Sequence, residues 1–156
     1  MARLALLTAL ALVLSYVEAL IPYSFAVPGI KLGLPNLAVM FALYKLGARE
    51  AAAVSGIRVL LASFMFGNAF SLAYSLSGAA LSLAVMVLLM KTGKLSPIGV
   101  SVAGGVAHNL GQILCAMVLL GTARIVYYLP VLIVSGVGAG ILIGLVSGLL
   151  SERVKL

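Results

Sequence analysis

The side chains that could hold a small molecule are few, and three of them recur at helical spacing. His108, Asn109 and Gln112 fall on one face of an α-helix, because residues three and four apart are neighbours on a helix surface. Arg58 lies in a second apolar stretch and Glu18 in a third. An imidazole, two carboxamides, a guanidinium and a carboxylate can together bind a small polar molecule through hydrogen bonds and charge.

The same residues argue against independent catalysis. The chain has three acidic residues, Glu18, Glu50 and Glu152, so the aspartate-rich magnesium motifs of prenyl-chain synthesis have no counterpart. A serine nucleophile would need a histidine with a carboxylate partner, and the single histidine has no acid beside it in the sequence. A phosphate-binding Gly-x-x-x-x-Gly-Lys-Ser/Thr loop and a Cys/His metal-binding spacing are also missing. We expect no catalytic residue, cofactor or metal ion.

The elements that must position these side chains are membrane-spanning helices. Of the 156 residues, 64% are hydrophobic and 8% are charged, which is too apolar for a soluble domain. A helix needs about 20 mainly apolar residues to cross about 30 Å of hydrocarbon. Proline, glycine and charged turns divide the chain into segments at residues 3–21, 34–46, 51–66, 70–90, 98–120 and 127–150. The sequence predicts one all-α domain over residues 1–156, a polytopic bundle of six transmembrane helices.

The basic residues orient this bundle, because Lys and Arg are enriched in cytoplasmic loops. With six spans, most of them fall at one end: Arg3, Lys45, Arg49, Lys91, Lys94, Arg153 and Lys155. Lys31 and Arg124 fall at the other end, and Arg58 stays within a span. We therefore expect both termini in the cytoplasm. The net charge of +7 then reflects membrane topology rather than nucleic-acid binding.

Polar groups at membrane depth cost free energy unless they face a partner or a wet cavity, so each is a candidate site residue. Asn36 begins the second segment, Asn68 follows the third, and Lys31 lies in the first outer loop. Together with the five side chains named first, they lie toward the outer half, whereas the inner halves are almost wholly apolar. This asymmetry predicts a pocket that opens to the outside and is closed below.

Each of these residues also has a structural interpretation. Arg58 and Glu18 can form an ion pair, the His-Asn-x-x-Gln triplet can join helices by hydrogen bonds, and Lys31 and Arg124 can anchor at lipid headgroups. The placement of the whole set toward one side favours the pocket. The excess of positive over negative charge there favours an anionic or phosphate-bearing ligand.

Small residues indicate where helices approach closely. The sixth segment carries a glycine at every fourth position from Gly136 to Gly148, a ridge that can pack against another helix of this chain or of a second chain. We favour packing within the chain. On the first segment, Ala5 and Ala9 form a second small-residue face at the inner end.

Three stretches carry a resemblance to a known family. They are residues 31–37 (Lys-Leu-Gly-Leu-Pro-Asn-Leu), residues 58–61 (Arg-Val-Leu-Leu) and residues 99–112, which include Gly-Gly-Val-Ala-His-Asn-Leu-Gly-Gln. They resemble the bacterial Gx transporter family, whose members are often labelled heptaprenyl diphosphate synthase component I, and the similarity spans nearly the whole chain. That family is similar in turn to the substrate-binding S components of energy-coupling factor (ECF) transporters.

The resemblance implies an S-component-like subunit of the bacterial inner membrane that holds a vitamin-like or precursor molecule at its outer face. S components dock a transmembrane coupling subunit, driven by two cytoplasmic ATPases, through an Ala-x-x-x-Ala face that Ala5 and Ala9 fit. We expect substrate capture for uptake, with the pocket residues contacting the ligand and Lys31 closing over it. The label implies a different role, a non-catalytic component of heptaprenyl diphosphate or quinone-precursor synthesis, and a purely structural scaffold is a third possibility.

Overall fold

The computed structural model describes residues 2–21 and 32–154. The helices are α1 (Ala2–Leu20), α2 (Asn36–Lys45), α3 (Ala48–Phe66), α4 (Ala69–Thr92), α5 (Pro97–Leu120) and α6 (Leu129–Arg153), with a 3-10 helix (Ala123–Tyr128) before α6. Helices account for 89% of the described residues, which contain no strand. The predicted all-α class and the six helices are confirmed.

Four of these helices have the length and apolar character of membrane spans. They are α1, α4, α5 and the stretch Ala123–Arg153 that contains α6. This indicates a membrane-embedded chain. The ten residues of α2 extend only about 15 Å at 1.5 Å per residue, half of the hydrocarbon core. The prediction of six spans is thus supported for four helices, and α2 is a half-length helix.

Local sequence signals set the ends of α4 and α5. The side chain of Ser96 caps α5 by accepting a hydrogen bond from the Gly99 N–H at 3.2 Å, and Pro97 occupies the first turn, where a missing N–H costs nothing. Gly93 ends α4 and Gly121 ends α5, with φ of 65° and 62°. This left-handed backbone favours glycine, so both helices stop where the sequence supplies one.

The helices pack as two groups. One contains α4, α5 and α6, the other α1, α2 and α3, and the groups meet where α3 contacts α4 and α2 contacts α6. In the first group the backbones nearly touch, because a methyl group on Gly105 would lie 2.5 Å from the carbonyl oxygen of Gly136. Glycine is therefore required at this crossing of α5 and α6.

The glycine ridge of α6 faces α5 along most of its length. Methyl groups on Gly136, Gly140 and Gly144 would all lie within 3 Å of α5 atoms, whereas nothing lies within 4 Å of the same position on Gly148. Three of the four glycines therefore serve packing within the chain, as favoured from the sequence.

The short helix α2 lies at the centre of the bundle. Its six consecutive residues from Ala38 to Leu43 are buried, which explains why it is apolar on every side. It begins level with the middle of α6, because a methyl group on Gly33 would lie 3.2 Å from the Cδ1 atom of Ile143. From there α2 runs toward one end of the bundle only and fills about half of its height.

Neighbouring helices alternate in direction, so α1, α3 and α5 begin at the end where α2, α4 and α6 finish. We call it the basic end, because it carries Arg3, Lys45, Arg49, Lys91, Lys94 and Arg153. Lys155 lies outside the described residues. That the basic end faces the cytoplasm stays a prediction.

We predict that Gly140→Ala weakens the bundle and that Gly148→Ala does not. The methyl group at residue 140 would lie 2.5 Å from the Cα atom of Val102, in backbone that cannot move aside. Overpacking of this kind costs about 1–3 kcal/mol, whereas alanine at a helix position with free space, such as residue 148, is favoured over glycine by up to ~1 kcal/mol. Melting in detergent should therefore occur at a lower temperature for Gly140→Ala alone. Equal melting temperatures would contradict the packing of this ridge on α5.

Candidate functional site

A cavity of about 410 Å³ lies between the two helix groups. Its walls come from the last turns of α1, the second half of α3, residues 71–86 of α4, the first half of α5 and the middle of α6, and its floor includes Asn36 and Met40 of α2. The cavity exists because α2 reaches only half of the bundle height, so no described helix fills the space beyond its first residue. The volume lies within the range of small-molecule sites, about 300–1,000 Å³.

Arg58 is the central charged group of the cavity wall. It is 8% exposed, and one terminal nitrogen donates a hydrogen bond to the Oδ1 atom of Asn36 at 3.3 Å. Its Nε atom is buried without a hydrogen-bond partner among the described residues. Leaving a buried donor unpaired costs about 1–3 kcal/mol, so the described residues do not fully satisfy the guanidinium.

Glu18 brings α1 to the same site. Its carboxylate is buried, interacts electrostatically with Arg58 and accepts a hydrogen bond from the backbone N–H of Gly33. The ion-pair interpretation of Glu18 and Arg58 is therefore compatible with the pocket, since both residues line it. Asn36, Arg58 and Glu18 join three helices through polar contacts.

His108 and Asn109 also line the cavity, from α5. The side-chain amide of Asn109 donates a hydrogen bond to the carbonyl oxygen of Leu132 and lies 3.5 Å from the Oγ atom of Ser135, both on α6. Asn109 thus joins α5 to α6, in agreement with the structural interpretation, and it also lines the cavity. The half-buried imidazole of His108 is the larger polar surface that α5 presents there.

Gln112 does not line the cavity. It is 1% exposed and packs against α4, where a methyl group on Gly78 would lie 2.8 Å from its Cγ atom. Neither atom of its amide group has a hydrogen-bond partner among the described residues. Gln112 lies one turn further from the basic end than His108, and its amide lies behind the cavity wall rather than in it.

Asn68 lines the cavity but serves first as a helix cap. Its Oδ1 atom accepts a hydrogen bond from the Ser71 N–H at 2.8 Å, and the Ser71 hydroxyl lies 3.2 Å from the Asn68 N–H. Arg124 is exposed in the 3-10 helix and does not contribute to the lining, and Lys31 lies outside the described residues. Among the described lining residues, the charges are those of Arg58 and Glu18, which balance; the predicted cationic surplus would have to come from Lys31.

Serine hydroxyls are the site residues that sequence reasoning missed. Those that line the cavity are Ser15, Ser63, Ser71, Ser75, Ser82 and Ser101. On α4 the spacings of four and seven between Ser71, Ser75 and Ser82 could have indicated one helical face. Serine is a weak signal in an apolar helix, however, because its hydroxyl can bond to the carbonyl four residues earlier, as Ser15 does to Ala11 at 2.8 Å.

We predict that Asn68→Ala lowers the free energy of unfolding by about 1 kcal/mol, because the N-terminus of α4 loses its cap. Asn68→Ser should retain most of the stability, since serine caps helices equally well. Melting temperatures in detergent compare the two variants. A ligand bound by wild type but lost in Asn68→Ser, with stability unchanged, would assign Asn68 to binding instead.

Comparison with known proteins identifies the family of this chain. Neither the curated proteins nor the solved structures compared with the chain gave a match. The sequence model of the family described as heptaprenyl diphosphate synthase component I matches residues 7–150. The match covers all six helices except the first turn or so of α1 and the last turn of α6, and it includes every described cavity residue. The chain that forms this cavity therefore belongs to the heptaprenyl diphosphate synthase component I family.

Proposed function

We propose that the chain is a membrane-embedded, S-component-like substrate-binding subunit that captures a small polar molecule for uptake. The observation that carries the proposal is a 410 Å³ cavity lined by the buried guanidinium of Arg58, whose Nε atom has no hydrogen-bond partner among the described residues. A structural scaffold has no need of such a space, because polar groups in a membrane bundle are costly unless they are used.

The closed floor favours capture over free passage. Met40 and Leu43 of α2 are each 1% exposed, so α2 is packed below the cavity toward the basic end. The cavity nevertheless reaches into that half of the bundle at Ser82, Met86 and Ser101. A ligand that enters from the end opposite the basic end cannot leave through the basic end while α2 stays in place. Release on the other side therefore requires a rearrangement driven from outside the chain.

The lining defines the class of ligand. Arg58 can hold a carboxylate or phosphate group through its fork of N–H donors, and the surrounding hydroxyls, amides and imidazole suit further hydroxyl or carbonyl groups. Glu18 beside Arg58 limits the net positive charge. We therefore propose a compact anionic or vitamin-precursor-like molecule with several polar groups rather than a long apolar one.

Partner subunits would supply the energy and the rearrangement. Ala5 and Ala9 are exposed on α1 and do not line the cavity, so this small-residue face is accessible to a docking helix. We propose that it contacts a transmembrane coupling subunit that acts with cytoplasmic ATPases in a bacterial inner membrane. Both termini of the chain would then face the cytoplasm, in agreement with the charges of the basic end.

The family name favours a second candidate, a non-catalytic membrane component of heptaprenyl diphosphate or quinone-precursor synthesis. In that role the cavity would hold a diphosphate group near Arg58. Affinity purification from host membranes distinguishes the two, because capture for uptake predicts a coupling subunit and ATPases, whereas the alternative predicts a soluble prenyl synthase.

We predict that Arg58→Ala and His108→Ala reduce ligand occupancy by about tenfold or more. Each removes a polar contact to the ligand, and a charge-assisted hydrogen bond is worth about 1.5–3 kcal/mol, where 1.4 kcal/mol corresponds to tenfold. Native mass spectrometry of protein purified from host membranes measures the fraction of chains that carry a small molecule. Arg124→Ala is the matched control, because it removes an arginine that does not line the cavity.

Size-exclusion profiles and helical circular dichroism should be unchanged in these variants. Equal occupancy in wild type, Arg58→Ala and His108→Ala would refute ligand binding at this site. A wild-type chain that carries no small molecule would favour the scaffold.

We also predict that Ala5→Leu combined with Ala9→Leu leaves ligand occupancy intact but blocks uptake. The larger side chains would separate α1 from its partner helix by occupying the small-residue face. Co-purification of the coupling subunit and uptake of the identified ligand are the measurements. Ala52→Leu, at an exposed position of α3, is the control, and unimpaired uptake by the double variant would remove the docking assignment.

A further inference from the structure

A second, apolar groove of about 240 Å³ lies on the surface between α1 and α6. Leu6 and Leu10 form one wall, Leu150 and Val154 the other, and Phe41 of α2 contributes to the floor. The groove exists because α1 and α6 both pack on α2 but do not pack closely on each other.

The groove is separate from the polar cavity, since no described residue lines both. Its floor is sealed, because Ala38 and Phe41 are 1% and 8% exposed, whereas Leu6 and Leu10 in the wall are 70% and 44% exposed. In a bilayer the groove therefore opens toward lipid. Its apolar lining excludes the polar molecule proposed for the cavity.

Arg3 is the one charged residue among the described residues that line the groove, and it contributes only its apolar stem, so its guanidinium lies outside the groove. It lies near the start of α1, at the basic end, and Arg153 of α6 directly precedes Val154 of the opposite wall. Glu152 is exposed at this end but does not line the groove. An apolar slot with arginine at its mouth is complementary to an amphiphile that has one anionic head and an apolar chain.

We propose that this groove binds an anionic phospholipid, with an acyl chain between α1 and α6 and the phosphate on Arg3. The acyl chain alone gives no selectivity between lipids, because bilayer hydrocarbon is as apolar as the leucine side chains of the groove. Selectivity comes from the headgroup, which arginine can bind through two parallel hydrogen bonds. Basic pockets between helices at the cytoplasmic surface bind anionic lipid headgroups in this way.

The lipid would join two helices that otherwise lack a common interface. On α1, Ala5 and Ala9 face away from the groove, because they are absent from its lining and lie about a third of a turn from the Leu6–Leu10 side at 3.6 residues per turn. The lipid and a docked partner could thus occupy α1 together. The bound lipid is expected to raise the free energy of unfolding of the protein, because it binds the folded bundle.

The experiment compares dioleoyl phosphatidylglycerol with dioleoyl phosphatidylcholine, which have the same acyl chains. Full-length protein is delipidated in detergent, each lipid is added back, and native mass spectrometry counts the lipid retained per chain. We expect at least fivefold preferential retention of phosphatidylglycerol in wild type and in Lys91→Gln, an exposed lysine of α4 at the same end. Arg3→Gln, which has the same net charge as the control, should lose this preference.

A second variant separates the apolar part from the charge. Leu10→Trp should fill the groove from its exposed rim and reduce retention of both lipids at least threefold, with Arg3 still present. Ligand occupancy of the polar cavity should stay at the wild-type level in both variants, so this proposal and the proposed function can fail independently.

Several results would overturn the proposal. One is equal retention of the two lipids by wild type; another is identical behaviour of Arg3→Gln and Lys91→Gln. Displacement of phosphatidylglycerol by an equal concentration of farnesyl diphosphate, but not by inorganic phosphate, would assign the groove to an isoprenoid diphosphate instead.

Discussion

A helix of ten residues extends about 15 Å, and the other five α-helices of this bundle have 19 to 25 residues. Because α2 is short, the helices around it leave a cavity beside its first turn and beyond its first residue, and the rest of α2 packs toward the basic end. Polar side chains at membrane depth are costly unless they lie beside such a space or contact one another, and Gln112 is an exception among the described residues. The position of the cavity and the choice of its lining both follow from where α2 begins.

A different kind of interaction joins the helices within each of the two groups. In α4, α5 and α6, glycines allow backbones to approach until a methyl group no longer fits, so packing is set by dispersion over a large contact area. In α1, α2 and α3, the contacts between Glu18, Asn36 and Arg58 join the helices at the cavity. A bound anion would compete with Asn36 and Glu18 for the guanidinium of Arg58. The polar contacts among α1, α2 and α3 would therefore change when the cavity is occupied.

Apolar length and glycine or proline punctuation were enough to predict six helices, and the rarity of polar groups was enough to place Glu18, Asn36, Arg58 and His108 in one cavity. Other features depend on tertiary packing. A spacing of four puts Gln112 on the helical face of His108, and both side chains pack on Gly78, yet only His108 lines the cavity. Hydropathy gave α2 nearly its true length without revealing that neighbouring helices surround it, since a buried half-helix and the core of a short span have the same composition. The cavity serines were missed because hydroxyls satisfy themselves within apolar helices and leave little trace in the sequence.

The glycines at the crossing of α5 and α6 have a consequence for how specificity could change. Three glycines line the cavity and also allow the helices to pack closely: Gly105, Gly136 and Gly140. A larger residue at any of these positions would reduce the cavity volume and would also force the helices apart. If the cavity holds the proposed ligand, adaptation to a different ligand would then proceed more readily through the serines of α4, which line the cavity away from the contact between α5 and α6. Among chains that bind different ligands in such a cavity, the glycine crossing should therefore stay fixed while the hydroxyl positions on α4 vary.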